Sequence, residues 1–299
     1  MSVPHAIPYQ GSKRRLASTV LSFLPRDIHT LFEPFAGSAA VTVAAAHRHL
    51  ARRYLINDSL VPLMGIWDGI LTSPNDLADR YRTIWRQQLG RERAYYEAIR
   101  EAFNSDGDPA KLLYLLARCV KNAVRFNRYG LFNQSADNRR KGTHPEKMAS
   151  NIFGVHSLLS SRCEAIATDY SVVLAEAQPC DLVYMDPPYQ GTSEGRDQRY
   201  FASLDLAKFV DQLERLNQRG VPYLVSFDGS CGTRSYGREL PSDLGLTKIS
   251  IEVGRSSQAT LNGRDEMTVE SLYLSPGLGG HPSTMVRLYG QQKPAALGA

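Results

Sequence analysis

Leu31 to Phe35 is a short stretch, apolar but for Glu33, that stops in a small-residue turn, and the stretch that follows, about Ala39 to Leu50, is rich in alanine. The first pattern predicts a buried strand, the second a helix. Arg53 to Asp58 reads as a second strand that ends on Asn57-Asp58. Strand, helix and strand in that order are the usual signature of a parallel sheet. From about Leu60 to Arg125 the period changes. Leu112, Leu113, Leu116, Cys119, Val120, Ala123 and Val124 recur at spacings of three and four, which predicts helix. Arg125 to Thr143 is polar, basic and rich in turn formers, as expected of a hairpin or ordered loop, and Pro145 to Ser160 fits one further helix.

The alternation then resumes. Glu164–Asp169, Leu182–Asp186 and Val221–Asp228 read as strands. Asp205–Arg219 reads as an amphipathic helix with Leu206, Phe209, Val210, Leu213 and Leu216 on one face. Lys248–Val253 and Thr268–Leu274 predict a closing hairpin, and the glycine- and proline-rich tail beyond Ser275 is expected to be irregular. The fold class is therefore α/β. A sheet domain built from residues 1–59 and 161–299 is interrupted by a mostly helical insert over residues 60–160.

Charge sharpens this division. Arg118 to Lys147 holds eight Arg and Lys residues against Asp137 and Glu146, an excess larger than the +5 of the whole chain. A positive cluster of this kind suits a polyanion such as nucleic acid. Cys119, Cys163, Cys180 and Cys231 form no C-x-x-C pair, and the seven histidines show no ligand spacing, so no metal is expected. No apolar run approaches the length of a membrane span. The first residues lack the apolar core of a secretory signal, and a cytoplasmic, nucleoid-associated location is expected.

Four polar turns share one position in this scheme, the carboxyl ends of strands, where open α/β sheets bind ligands. Phe35-Ala36-Gly37-Ser38 follows the first strand and lets backbone approach a ligand. Asp58 ends the second, where an acid commonly takes ribose hydroxyls. Asp169, followed by Tyr170, ends the third; its oxygen could accept from a purine amino group or cap the next helix. Asp186-Pro187-Pro188-Tyr189 follows the fourth. Proline cannot give a hydrogen to a strand ladder, so this turn is stiff and polar for another reason. An aromatic amino group is a poor nucleophile, because its lone pair is delocalised into the ring. The Asp186 oxygen and the Pro187 carbonyl can each accept one of its two hydrogens, freeing the lone pair for attack on a methyl sulfonium. Tyr189 offers a face on which a base can stack.

These residues resemble the catalytic signature [DN]-P-P-[YFW] of S-adenosylmethionine-dependent amino-methyltransferases. The other segments are similar to the Dam-like, α-group DNA adenine-N6 methyltransferases. Pro8-Tyr9-Gln10-Gly11-Ser12-Lys13 matches that family's aromatic-x-G-[GS]-K element, Glu33 to Gly37 its E-P-F-x-G, and Asn57-Asp58 its N-D strand end. Arg125 to Asn133 matches its R-[FY]-N-x-x-G-x-F-N recognition pattern. The likeness runs from about Tyr9 to Leu274. It implies a class I, Rossmann-like methyltransferase sheet and a target-recognition insert carrying a hairpin. It also implies S-adenosyl-L-methionine as cofactor and double-stranded DNA as partner. Tyr9, Lys13, Phe35, Ala36, Gly37, Ser38, Asp58, Asp169, Tyr170 and Asp186 are then the cofactor-binding candidates, Lys13 at the cofactor's carboxylate. Asp186, Pro187, Pro188 and Tyr189 are the catalytic ones.

A base inside a duplex cannot place its amino group in line with a methyl donor, so it must be flipped out. Arg125, Asn127, Arg128, Tyr129, Phe132, Asn133, Arg139, Arg140 and Lys141 are the DNA-binding candidates, with Tyr129 or Phe132 as the wedge. Where the family continues F-N-x-P-x-G, this chain reads Phe132-Asn133-Gln134-Ser135-Ala136-Asp137, so a borrowed target sequence is not supported. Related turns also serve RNA and protein-glutamine methyltransferases, and a catalytically silent DNA-binding protein is a further alternative. A cognate restriction endonuclease as functional partner and a solitary enzyme both fit the sequence.

Overall fold

The computed structural model describes residues 2–188, 204–231, 234–237, 239–255, 267–278 and 285–287. Among these, β1 (Ile28–Glu33), β2 (Ala51–Asn57), β3 (Cys163–Ile166), β4 (Leu182–Met185), β5 (Tyr223–Cys231), β6 (Arg234–Tyr236), β7 (Thr247–Arg255), β8 (Met267–Leu274) and β9 (Met285–Arg287) form one sheet. Its order is β3-β2-β1-β4-β5-β8-β7-β9, with β6 paired to β5. The strands from β3 across to β5 are parallel, whereas β8 runs antiparallel to both β5 and β7. The chain therefore moves outward through β1, β2 and β3, returns, and moves the other way through β4 and β5. That reversal opens a crevice beyond the carboxyl ends of β1 and β4, the usual ligand site of such sheets.

Period-two alternation along the strands feeds two cores, one on each face of the sheet. Leu31, Tyr54, Ile56, Leu182, Tyr184, Leu224 and Leu272 point to one face. Phe32, Leu55, Val183, Met185, Val225, Phe227 and Tyr273 point to the other. The second face is covered by α8 (Tyr170–Glu176) and α9 (Leu206–Gln218), the first by α1 (Ala17–Leu21) and α2 (Ala40–His47). Every residue of α2 up to Ala46 is buried, as its uninterrupted apolar and small sequence predicts.

The insert supplies α3 (Val61–Thr72), α4 (Pro74–Gln87), α5 (Glu92–Asp106), α6 (Pro109–Arg118) and α7 (Pro145–Leu159). Local chemistry sets its boundaries. The Asp108 side chain accepts from Ala110 N and Lys111 N with Pro109 in the first turn, which starts α6. Gly107 at φ 66° ends α5. Trp67, Leu113 and Ile152 belong to the same apolar cluster as Leu31 and Tyr184, so the insert shares the core of one sheet face.

Two expectations change. The α-helix ends at Arg118, and beyond it Lys121 and Asn122 both adopt positive φ (59° and 54°). Of the hairpin or ordered loop expected over 125–143, the chain forms an ordered loop pinned by two isolated antiparallel bridges, Cys119 with Ala136 and Phe126 with Phe132. Within the tail beyond Ser275, Met285–Arg287 pairs in parallel with β7. No helix among the described residues is long and apolar enough to cross a membrane.

Candidate active site

The crevice holds a cleft of about 300 Å³. Its walls come from the turn after β1 (Phe35 to Ser38), the end of β2 (Asn57 to Leu60), Thr168 to Tyr170, the Asp186-Pro187-Pro188 turn after β4, and the N-terminal Tyr9 to Lys13. All the cofactor-binding candidates therefore line one cavity. Tyr189 lies outside the described residues.

Backbone geometry accounts for the small residues. Gly37 sits at φ +49°, and a Cβ there would stand 3.0 Å from Tyr9 Cε1. Trp67 Nε1 of α3 donates to Gly37 O at 3.0 Å, tying the insert to the floor of the cleft. Gly37→Ala is expected to lower stability by about 1–2 kcal/mol, through left-handed strain and the clash with the tyrosine ring. Chemical denaturation measures it as a lower midpoint at unchanged slope.

Asp58 is half-buried and its oxygens latch two turns. Oδ2 accepts from Gly37 N at 3.1 Å and Oδ1 from Leu60 N at 3.0 Å. Burial pushes its carboxyl above the ordinary value, against these hydrogen bonds. Each oxygen keeps a second lone pair for a ligand hydroxyl. Asn57 bridges neighbouring strand ends, donating to Pro34 O and Thr168 O and accepting from Thr168 N. Asp169 is exposed and caps α8 by accepting from Ser171 N at 2.9 Å, while Lys208 Nζ stands 3.0 and 3.1 Å from its two oxygens. Phe35 and Tyr170 form an aromatic wall with centroids 4.9 Å apart. The Tyr170 hydroxyl is buried and has no hydrogen-bond partner among the described residues.

The strongest electrostatics surround Asp186. Lys13 Nζ lies 2.9 Å from Asp186 Oδ1 and 3.3 Å from Glu270 Oε2. The expectation placed Lys13 at a cofactor carboxylate; here its ammonium stands between two of the chain's own. Asp186 Oδ2 has no hydrogen bond or ion pair among the described residues. Burial raises the Asp186 carboxyl to about 6; Lys13 opposes the rise and Glu270 adds to it. Glu33 is fully enclosed and pushed up to about 8, mainly by burial, although Thr42 N donates to Oε2 at 2.8 Å. It is therefore largely protonated at neutral pH, which relieves the repulsion between the two acids.

The basic segment divides into an outer and an inner set. Arg128 lies over the ring of Tyr129 at 4.7 Å, and Tyr129 is 70% exposed at the tip of the loop. Asn133 and Arg139 are exposed as well, whereas Arg125 is half-buried. The Asn127 side chain faces its own turn, accepting from Tyr129 N at 2.9 Å and Leu131 N at 3.0 Å. Phe132 is buried between Phe103 and Phe126, with centroids 6.0 and 5.6 Å away. Of the two wedge candidates, only Tyr129 is on the surface. Arg140 pairs with Asp137 at 2.9 Å and Lys141 with Glu92 at 3.0 Å. Arg118, counted in the basic excess, is fully buried.

Trp67, Lys208 and Glu270 are among the described site residues that sequence reasoning missed. Glu270 lies on β8, and no local pattern ties it to Lys13. His29, Cys180 and Asp181, which share no ligand spacing, bring one ligand atom each within 4.8 Å of one another at the opposite edge of the sheet. There Asp181 accepts from Thr30 N and Gln178 N, both at 2.9 Å, which accounts for its burial.

Residues 9–253 match the family model described as D12 class N6 adenine-specific DNA methyltransferase. The retron Ec67 DNA adenine methylase of Escherichia coli is 29% identical, over 85% of this chain and 88% of its own length. A DNA adenine methylase of Vibrio cholerae is 25% identical, over 87% and 93%. A type II methyltransferase of Lactococcus lactis subsp. cremoris is 23% identical, over 87% and 91%.

Proposed function

The chain belongs to the D12 class N6 adenine-specific DNA methyltransferase family, and from that premise we propose that it takes its methyl group from S-adenosyl-L-methionine and acts at the Asp186-Pro187-Pro188 turn on an adenine flipped out of duplex DNA. It is an adenine-specific DNA methyltransferase, and this replaces the RNA, protein-glutamine and silent alternatives. The observation that carries the finer reading is the position of Asp186. It lines the same cleft as Gly37 and Asp58, with one oxygen on Lys13 and the other without a partner among the described residues.

The cleft suits the donor. Gly37 presents backbone without a Cβ, Asp58 keeps lone pairs for ribose hydroxyls, and the Tyr170 hydroxyl is an orphaned buried polar atom on the aromatic wall. Tyr9, Phe35, Ala36, Gly37, Ser38, Asp58, Asp169 and Tyr170 would hold it. When bound, it supplies an activated methyl group on a positively charged sulfonium. Asp186 Oδ2 accepts one hydrogen of the adenine amine and the Pro187 carbonyl accepts the other. The Asp186 carboxyl is the stronger acceptor when ionised.

Residues 60–160 serve as the target-recognition domain. Tyr129 fills the space left by the flipped base, and stacking of this kind contributes about 1–3 kcal/mol. Arg128 and Arg139 hold phosphates or read guanine edges. Neutralising both, as Arg128→Gln with Arg139→Gln, is expected to reduce the slope of log affinity against log salt by about 2. Filter binding of a duplex across a salt series measures it.

Incubating the protein with methyl-labelled donor and duplex DNA, then digesting to nucleosides, tests the reading as a whole. Label in N6-methyladenosine of the deoxy series is expected. Label confined to RNA or protein, or no label from this donor, would sink it.

A further inference from the structure

Glu270 stands where an apolar residue is expected. Alternate residues of β8 face the same side, and Leu272 and Leu274 on that side are fully buried. Across the sheet Glu270 pairs with Ile251 of β7 and with Gly229 of β5. The β5–β8 register shifts between Ser226 and Gly229, and at Gly229 a Cβ would lie 2.6 Å from Val269 O. The bulge and the missing side chain bring β8 close at this point. A carboxylate flanked in this way needs a cation, and Lys13, only 8% exposed, stands 3.3 Å away.

We propose that Glu270 is a positioning residue for methyl transfer: it shares the Lys13 ammonium with Asp186, so that Asp186 is held by one oxygen and keeps the other as a strong acceptor for the target amine. The inference rests on the assignment of Asp186 above. Without the second carboxylate the ammonium would bind Asp186 more strongly and weaken it as an acceptor, because a nearby cation stabilises the charged form. Among the described residues, the other groups facing Asp186 are Glu33 and Tyr184. Glu33 is largely neutral at pH 7 and Tyr184 stays protonated, since burial raises it well above its ordinary value. Lys13 and Glu270 therefore set the balance.

The test uses the full chain with Glu270→Gln, an isostere without the charge. The Asp186 carboxyl is followed by carbon-13 NMR through a pH titration, its resonance identified by its absence in Asp186→Asn. The titration midpoint is expected to fall by about one pH unit, and Lys13→Met is expected to move it upward. In parallel, kcat at pH 8 is expected to drop about 10-fold. KM for both substrates should stay within about twofold of the native value, and Glu270→Asp should restore part of kcat. A Glu270→Gln midpoint and kcat profile superimposable on the native ones would overturn the proposal, leaving Glu270 a purely structural partner of Lys13. Full transfer by Asp186→Ala would instead overturn the assignment of Asp186, whatever the Glu270 variant does to the midpoint.

Discussion

Asp186→Ala is expected to lower methyl transfer by roughly 10³-fold while leaving the affinity for duplex DNA within about threefold, near the scatter of single substitutions. The side chain sits where the β4 strand ends and the proline pair fixes the backbone, so removing the carboxylate takes away an acceptor without moving the turn. DNA binding is separable because the exposed Arg128, Tyr129 and Arg139 are carried on the insert. Labelled transfer and filter binding on the same preparations measure the two effects. Retained turnover would remove Asp186 from the reaction.

The native pH profile follows from the same group. Burial raises its carboxyl to about 6, above the ordinary carboxylate range. The acceptor is therefore ionised above that pH and protonated below it. Turnover is expected to climb through an acid limb centred near 6 to a plateau at neutral pH. Stability runs the other way, because a raised carboxyl binds its proton more tightly in the folded state. That contribution is full below the unfolded value and is lost as pH rises through about 6. Asp186→Asn is accordingly expected to melt slightly higher than the native protein at pH 8, where the native carboxylate is charged and half-buried.

The gathering of the candidate residues at one cleft was legible because parallel strands make it a one-dimensional problem. Once Phe35, Asp58, Asp169 and Asp186 are read as strand ends, their common location follows from the topology without any distance. Glu270 was not legible for the complementary reason. It reaches that edge on an antiparallel strand from the far end of the chain, and its register depends on a bulge near Gly229 that leaves no local pattern. Trp67 reads as one more apolar residue of a buried helix, and only its indole hydrogen on Gly37 O shows its part in shaping the cleft. In the insert, residue type misled. Phe132 and Arg118 carry the chemistry of a DNA surface, but the packing of α4, α5 and α6, which one chain's periodicity does not specify, turns both inward. The helical period also ran past Arg118, because nothing in Cys119-Val120-Lys121-Asn122 announces two consecutive left-handed residues.

Arg118→Met is expected to lower stability by about 3–5 kcal/mol, or roughly 10 °C in melting temperature, and to weaken DNA binding without touching the cleft. The guanidinium is 1% exposed at the end of α6. It donates from Nη1 to Asp137 O at 2.8 Å and also to Arg140 O, and it lies over the ring of Tyr96 at 6.0 Å. Arg140 returns to the same turn through Asp137 Oδ2 and donates to Cys119 O at 3.2 Å. A buried cation thus organises the carbonyls that close the 137–140 segment, and Arg139 projects from that segment. Methionine keeps most of the volume and leaves those carbonyls without charged donors inside the protein. The loop should then open, taking Arg139 out of register with the phosphates it is proposed to meet. Thermal unfolding and filter binding at fixed salt measure the two losses, and methyl transfer at saturating DNA should remain near native. A variant that melted like the native protein and bound DNA normally would show that the loop closes without this pin. One that lost turnover at saturating DNA would show that the 137–140 loop bears on the cleft as well as on DNA binding.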